Sequence, residues 1–146
     1  MSLAIAQATE TADLEACLEL RRIVFIQEQR VSEADERDGR DGTATHLLAR
    51  LDGAPVGTLR IRILGPAAKL ERVCVLAAHR REGIGTALTR AAIERMTAAP
   101  GITEVKLGAQ VPVIGFYERL GFTALGEIYM DAGIPHRDMI RPLPAH

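Results

Sequence analysis

The stretch Val73-Cys74-Val75-Leu76-Ala77-Ala78-His79-Arg80-Arg81-Glu82-Gly83-Ile84-Gly85-Thr86-Ala87-Leu88 passes from an apolar, β-branched run through a glycine-bearing loop into a helical pattern. The first turn of a helix has backbone N–H groups without partners and carries the positive end of the helix dipole. Glycines at 83 and 85 remove the Cβ atoms that would hold a bulky anion away from the main chain. Arg80 and Arg81 add positive charge at the same place. This chemistry suits a diphosphate. The Walker pattern is absent, since no Gly-Lys-Ser/Thr follows four spacers, and the three glycines of a dinucleotide-binding βαβ unit are absent too. Taken alone, the stretch is also compatible with an unrelated anion- or nucleotide-binding loop, or with a plain helix start that uses glycine.

Several other side chains could do chemistry. Tyr117, in Gly115-Phe116-Tyr117-Glu118-Arg119-Leu120-Gly121-Phe122, is either a core residue of an amphipathic helix or a proton donor. Strand alternation places Glu71, Val73 and Val75 on one face, with Arg72 and Cys74 on the other. Glu71 and Glu28 are carboxylates able to take a proton from an alkylammonium of pKa about 10.4. His136 is able to bind a substrate or shuttle a proton near neutral pH. The acidic run Glu33, Asp35, Glu36, Asp38 and Asp41 either attracts a cation or forms a solvated face.

The elements that must position these residues follow from pattern. Leu3 to Ala8 reads as a strand. Thr11 caps a helix ending near Gln29, and Ser32 to Gly42 reads as a loop. His46–Leu51, Val56–Leu64 and Leu70–Leu76, separated by Asp52-Gly53 and Gly65-Pro66, read as an antiparallel meander. Ile84 to Met96 is an amphipathic helix that Pro100-Gly101 ends, and Glu104–Ala109 is a short strand. Pro112 starts a helix running to about Leu120, with Gly121 as its C-cap. Phe122–Met130 and about Arg137–Ile140 are the last strands, joined by an Asp131–Pro135 loop. A meander followed by a strand–helix–strand unit predicts a mixed sheet in an α/β or α+β layer fold.

Arg80-Arg81-Glu82-Gly83-Ile84-Gly85 resembles the Arg/Gln-x-x-Gly-x-Gly/Ala signature of the GNAT N-acetyltransferases, in the form of a small bacterial subgroup. The likeness extends upstream to Leu70–Val75 and recurs in the Phe116-Tyr117…Gly121-Phe122 segment. Phe25-Ile26-Gln27-Glu28-Gln29 and Asp131-Ala132-Gly133-Ile134-Pro135-His136 resemble that subgroup as well. The resemblance implies a mostly antiparallel sheet of about seven strands with helices on both faces. It implies acetyl-CoA as co-substrate and direct transfer to a primary amine, on a small molecule or a peptide, in a ternary complex. Arg80, Arg81, Gly83, Ile84, Gly85 and Thr86 would hold the diphosphate, and Val73, Cys74 and Val75 the pantetheine arm. Gln110, where the family often has Asn, would bond the same arm. Tyr117 would protonate the departing thiolate, Glu71 would be the first candidate base, and Glu28, Arg72 and His136 would meet the acceptor. A homodimer is compatible with the family. The alternative is a regulatory module that binds acyl-CoA without catalysis.

Composition excludes other classes. With 146 residues the chain suits one domain over 1–146 and is long enough to bury a core without metal or disulfide support. A net charge of −1 and 3% aromatic content, with no Trp, argue against a nucleic-acid partner. Cys17 and Cys74 sit in apolar stretches without a CxxC pair or nearby His, so they read as core residues, with no metal and no covalent route through Cys74. The absence of a leader pattern or a long apolar run predicts a cytoplasmic protein without a membrane partner.

Overall fold

The computed structural model describes residues 2–144. Seven strands form one sheet: β1 (Leu3–Gln7), β2 (Thr45–Leu51), β3 (Ala54–Leu64), β4 (Ala67–Val75), β5 (Glu104–Gln110), β6 (Thr123–Asp131) and β7 (Ile134–Pro142), in the spatial order β1-β2-β3-β4-β5-β7-β6. Every pair is antiparallel except β4 with β5. Hairpin chemistry sets the short connections. Asp52 and Gly53 join β2 to β3 with φ of 51° and 88°, and Ala132 and Gly133 join β6 to β7 with φ of 51° and 76°. Two successive left-handed residues match the twist of a two-residue hairpin. β7 therefore starts at Ile134, three residues before its sequence-based limit, because a tight turn replaces the expected loop.

Helices cover both faces. α1 (Thr11–Arg21) packs on one face, where Cys17 and Leu20 meet Leu48 and Cys74. Glu10 precedes it as cap residue without a side-chain bond, and Thr11 lies inside the helix rather than capping it. The chain then widens into π-type turns over Arg22–Glu28, closing with Gln29 N–H to Val24 O at 3.0 Å. α3 (Ile84–Ala98) packs on the opposite face, where Ile84, Leu88 and Ala92 join Leu47, Leu59, Ile61, Leu70 and Val105. A 3₁₀ turn at Val111–Val113 leads into the short α4 (Ile114–Glu118), later than the expected start at Pro112. Gly121, with φ of 91°, closes it: its N–H bonds Glu118 O and that of Phe122 bonds Tyr117 O.

The segment expected to be a solvated acidic loop is folded inward. Ser32 caps a single helical turn, α2 (Glu33–Glu36), by accepting from Asp35 N–H at 3.1 Å. Glu36 is 1% exposed and pairs with Arg21, itself 1% exposed, at 3.0 Å. Arg60, fully buried on β3, donates to Asp38 at 2.7 and 2.9 Å, to Asp41 at 3.0 Å and to Glu71 at 2.9 Å. Arg21 also donates to Asp41 at 2.6 Å. A buried charge is tolerated only with partners that replace its hydration, and each of these has at least two.

Arg60 is the hub, so Arg60→Met should cost about 3–5 kcal/mol, because three carboxylates lose their shared cation. Urea unfolding measures this. Asp38 sits below the usual carboxylate range because Arg60 donates to it. Asp41 is also lowered, since its arginine partners outweigh the upward push of burial. Lowered carboxylates stabilise the fold above their unfolded pKa of about 4, and this stability is lost as pH falls through the folded values. Wild-type stability should therefore drop below about pH 4, and Arg60→Met should flatten that drop.

Candidate active site

The sheet opens along one seam. β4 and β5 pair from Ala67↔Glu104 to Leu70↔Leu107 and no further. Beyond that point Glu71, Cys74 and Val75 pair only with β3, and Gly108 to Gln110 pair only with β7. The cause of the divergence lies in β4. Arg72 has φ of 55°, and Arg72 and Val73 together face the single residue Leu59, because the register runs Arg60↔Glu71 and then Thr58↔Cys74. Such a bulge bends the strand and increases its twist. The resulting V-shaped cleft is the floor of a cavity of about 760 Å³.

The bulge also corrects the face assignment. Val73 and Val75 pack with the α3-side core, whereas Cys74 joins the α1-side core and Glu71 lies opposite Arg60 on that same side. Glu71 and Val73 thus sit on opposite faces, since one extra residue inverts the alternation.

The loop before α3 has the predicted form. Arg81 and Gly83 are left-handed, with φ of 70° and 82°. The first helical bond beyond them runs from Ala87 N–H to Gly83 O, and no side chain caps the helix. The amides of Ile84, Gly85 and Thr86 thus form an uncapped first turn, and these residues line the cavity. A Cβ on Gly83 would meet nothing within 4 Å, so glycine is required there by φ, not by space. Arg81 is exposed and forms no ion pair among the described residues. Arg80 behaves otherwise. Its guanidinium donates to both Glu28 oxygens, at 2.5 and 2.7 Å, and its Nε to Val75 O at 3.0 Å. Glu28 is held below the usual carboxylate range by that contact. Arg80 and Glu28 therefore fasten the loop to the end of the π-type turns instead of offering a free cation and a free base.

Tyr117 is buried between Phe116 and Phe122 in edge-on contacts, with ring centroids 5.0 and 5.8 Å away. Tyr117 lines the cavity, and its hydroxyl bonds no described residue. Burial pushes the phenol well above its ordinary value. A free phenol, with pKa about 10, lies close to a thiol, and burial widens that gap. Tyr117 stays protonated at any neutral pH and is a weaker acid than in water.

Glu71, Arg72, Gln110 and His136 all line the cavity, each with protein partners of its own. Glu71 accepts from Arg62 at 2.6 Å and Arg60 at 2.9 Å, with Lys69 at 3.5 Å. Burial raises its pKa, but these cations outweigh it and leave the carboxylate lowered. A carboxylate ringed by three cations is a poor proton acceptor, so the structure opposes the expected base role. Arg72 lines the cavity and braces α2, donating to Glu36 at 2.8 Å and to the carbonyls of Asp35 and Glu36 at 3.2 Å. Gln110 lines the cavity and donates to Gln29 at 2.9 Å. His136 lines it too, bonding Ile134 O at 2.7 Å and stacking on Tyr129. Sequence reasoning missed Arg60, the hub of the ion network, and Tyr129. The second lay within reach, two residues before the Asp131–His136 stretch.

Residues 10–143 match the family model of the acetyltransferase (GNAT) domain. The chain belongs to the GNAT acetyltransferase family. It is similar to YyaT of Bacillus subtilis, with 42% identity over 135 residues covering 90% of each chain. Its structure is similar to that of an acyl-CoA N-acyltransferase from Pseudomonas aeruginosa, at 32% identity and TM-score 0.86, covering 96% of this chain and 99% of the other. The fold is shared with a PaiA N-acetyltransferase from Thermoplasma acidophilum solved with coenzyme A, at 21% identity and TM-score 0.75, covering 97% and 99%. Among the described residues of this GNAT chain, no helix is long and apolar enough to cross a membrane, and no group of three or more His, Cys, Asp or Glu is placed to hold a metal ion.

Burial pushes the Cys74 thiol up to about 12, and it raises that of Cys17 as well. The thiolate is the reactive form. Iodoacetamide at pH 8 should leave both cysteines unlabelled in folded protein and modify both in urea. Mass spectrometry reads the outcome, and rapid native labelling of Cys74 would reopen a covalent route.

Proposed function

We propose that this protein transfers an acetyl group from acetyl-CoA to a primary amine by direct attack in a ternary complex. The observation that carries the reading is the opening of the sheet after Leu70↔Leu107 beside an uncapped helix N-terminus. The amides of Ile84, Gly85 and Thr86 would receive the diphosphate, with Gly83 shaping the turn and Arg81 adding charge. The strand edge Val73-Cys74-Val75 would pair with the amides of the pantetheine arm, and the thioester would lie near the fork. That the T. acidophilum neighbour holds coenzyme A supports this placement.

Chemistry in this scheme is mainly positioning and electrostatics. Backbone N–H groups of β4 would polarise the thioester carbonyl. The acceptor, after losing one ammonium proton to water in the cleft, attacks as the free amine. As the nitrogen–carbon bond forms and the carbon–sulfur bond breaks, the sulfur takes the Tyr117 proton, and the proton shed by the new amide nitrogen passes through water to restore Tyr117. The raised phenol pKa does not bar this step, because a thiolate leaving into the same apolar wall is itself destabilised and seeks a proton. The role left for Glu71 is to orient Arg60 and Arg62 under the cleft.

Tyr117→Phe should lower kcat by about 10²- to 10³-fold while leaving coenzyme A affinity within about twofold. Free-thiol release and calorimetry measure the two quantities, and undiminished kcat removes the acid role. Glu71→Gln should lower the melting temperature at least as visibly as it lowers kcat. A selective loss of kcat with unchanged melting would restore Glu71 as a base. A non-catalytic acyl-CoA module would instead show coenzyme A binding and no thiol release.

A further inference from the structure

Tyr129 occupies a place that the family signature does not mark. It lies on β6 opposite His136 of β7, and Asp138 lies opposite Gly108 of β5. Met139 points into the α3-side core, so its alternate neighbours His136 and Asp138 project from the other face, the side on which Glu71 and Arg60 lie. The Tyr129 ring stacks on His136, with centroids 5.9 Å apart and planes 24° from parallel. Its hydroxyl then reaches over β7 to the backbone of Gly108, where any Cβ would collide with it. Gly108 is the first β5 residue past the last β4–β5 pair. The hydroxyl thus sits at the fork itself, and Tyr129 lines the cavity.

The direction of its hydrogen bond decides what the hydroxyl offers. Tyr129 Oη donates to Asp138 Oδ1 at 2.7 Å. With its proton committed, the oxygen presents only lone pairs to the cleft. Burial raises the Tyr129 phenol, the bond to Asp138 and the charges of Asp138 and Asp131 add to the rise, and the phenol stays neutral. An oxygen that only accepts, backed by two carboxylates, favours a cationic N–H donor.

We propose that Tyr129, fixed by Asp138 and given room by Gly108, holds the nitrogen of the acceptor and selects an alkylamine arriving as its ammonium over a weakly basic arylamine. This assignment rests on the acetyltransferase reading given above. The pair binds and orients; it takes no proton from the acceptor in this scheme.

The test uses the full chain with benzylamine, protonated at neutral pH, and p-anisidine, which is mostly neutral there, each with acetyl-CoA. Wild type should favour benzylamine in kcat/KM. Tyr129→Phe keeps the ring on His136 and loses only the oxygen. It should raise KM for benzylamine about tenfold or more, with kcat and coenzyme A affinity within about twofold. Asp138→Asn keeps the shape, removes the charge and should shrink the benzylamine preference. An unchanged KM in Tyr129→Phe, or a wild-type preference for p-anisidine, overturns the assignment while the acetyltransferase reading stands. No thiol release with either amine, from protein that binds coenzyme A, removes the acetyltransferase reading and this assignment together.

Discussion

Two strands that begin as a parallel pair and then part leave opposing rows of backbone groups without each other. Unpaired backbone polar groups in a protein interior are costly, so such an opening persists only when something forces it. Here the force is local and visible. Arg72 takes a left-handed conformation that a residue with a Cβ enters at a cost of about 1–2 kcal/mol, and one extra residue is accommodated opposite Leu59. The guanidinium of that same residue is bound to Glu36 and to two carbonyls of the segment around it. The strain and the contact that offsets it therefore belong to one side chain.

This ties the cleft to the ion network beneath it. Arg72 holds Glu36, Glu36 holds Arg21, Arg21 holds Asp41, and Asp41 shares Arg60 with Asp38 and Glu71. Glu71 is the residue just before the bulge, so the chain of pairs returns to the strand it started from. Buried ion pairs contribute little net stability compared with apolar packing, yet they fix one geometry because every alternative leaves a bare charge. A network of this kind suits the margin of a site better than a uniform apolar core would. It specifies the bend in β4 while most of its carboxylates face arginines rather than a ligand.

The legible parts of the sequence were the local ones. Gly83, Ile84 and Gly85 define a helix start within a few residues, and the aromatic pair before Gly121 defines the helix end that presents Tyr117. Each needs only neighbours along the chain, and each stands where expected. The face of Glu71 is not legible in the sequence, because period-two alternation assumes an unbroken strand and a bulge at a residue other than Gly leaves no compositional mark. The inward fold of the acidic run 33–41, neither a solvated face nor a free cation trap, is illegible for a related reason. Its counter-charges, Arg21, Arg60 and Arg72, are spread over three elements, and no window of sequence joins them. Arg80 stands at the loop as its motif implies, but its pairing with Glu28 is not legible, because the two lie 52 positions apart.

The same distinction orders the two tyrosines. Tyr117 is recognised by a motif and reaches the cleft from the α4 side, where apolar rings leave its hydroxyl free of described partners. Tyr129 carries no motif and lies on the face toward α1, with its proton already given to Asp138. One phenol thus keeps a proton to give, and the other has only lone pairs to offer. A direct transfer between a thioester and an amine has that asymmetry: the sulfur must gain a proton, and the nitrogen must first be held through its own hydrogens. Burial raises both phenols, with Asp138 and Asp131 adding to the rise at Tyr129, so neither ionises near neutral pH; Tyr129 gives its proton to Asp138, whereas Tyr117 donates to no described residue. In the proposed transfer the divergence of two strands would supply the space between those roles, and one glycine at position 108 lets the second phenol reach that opening.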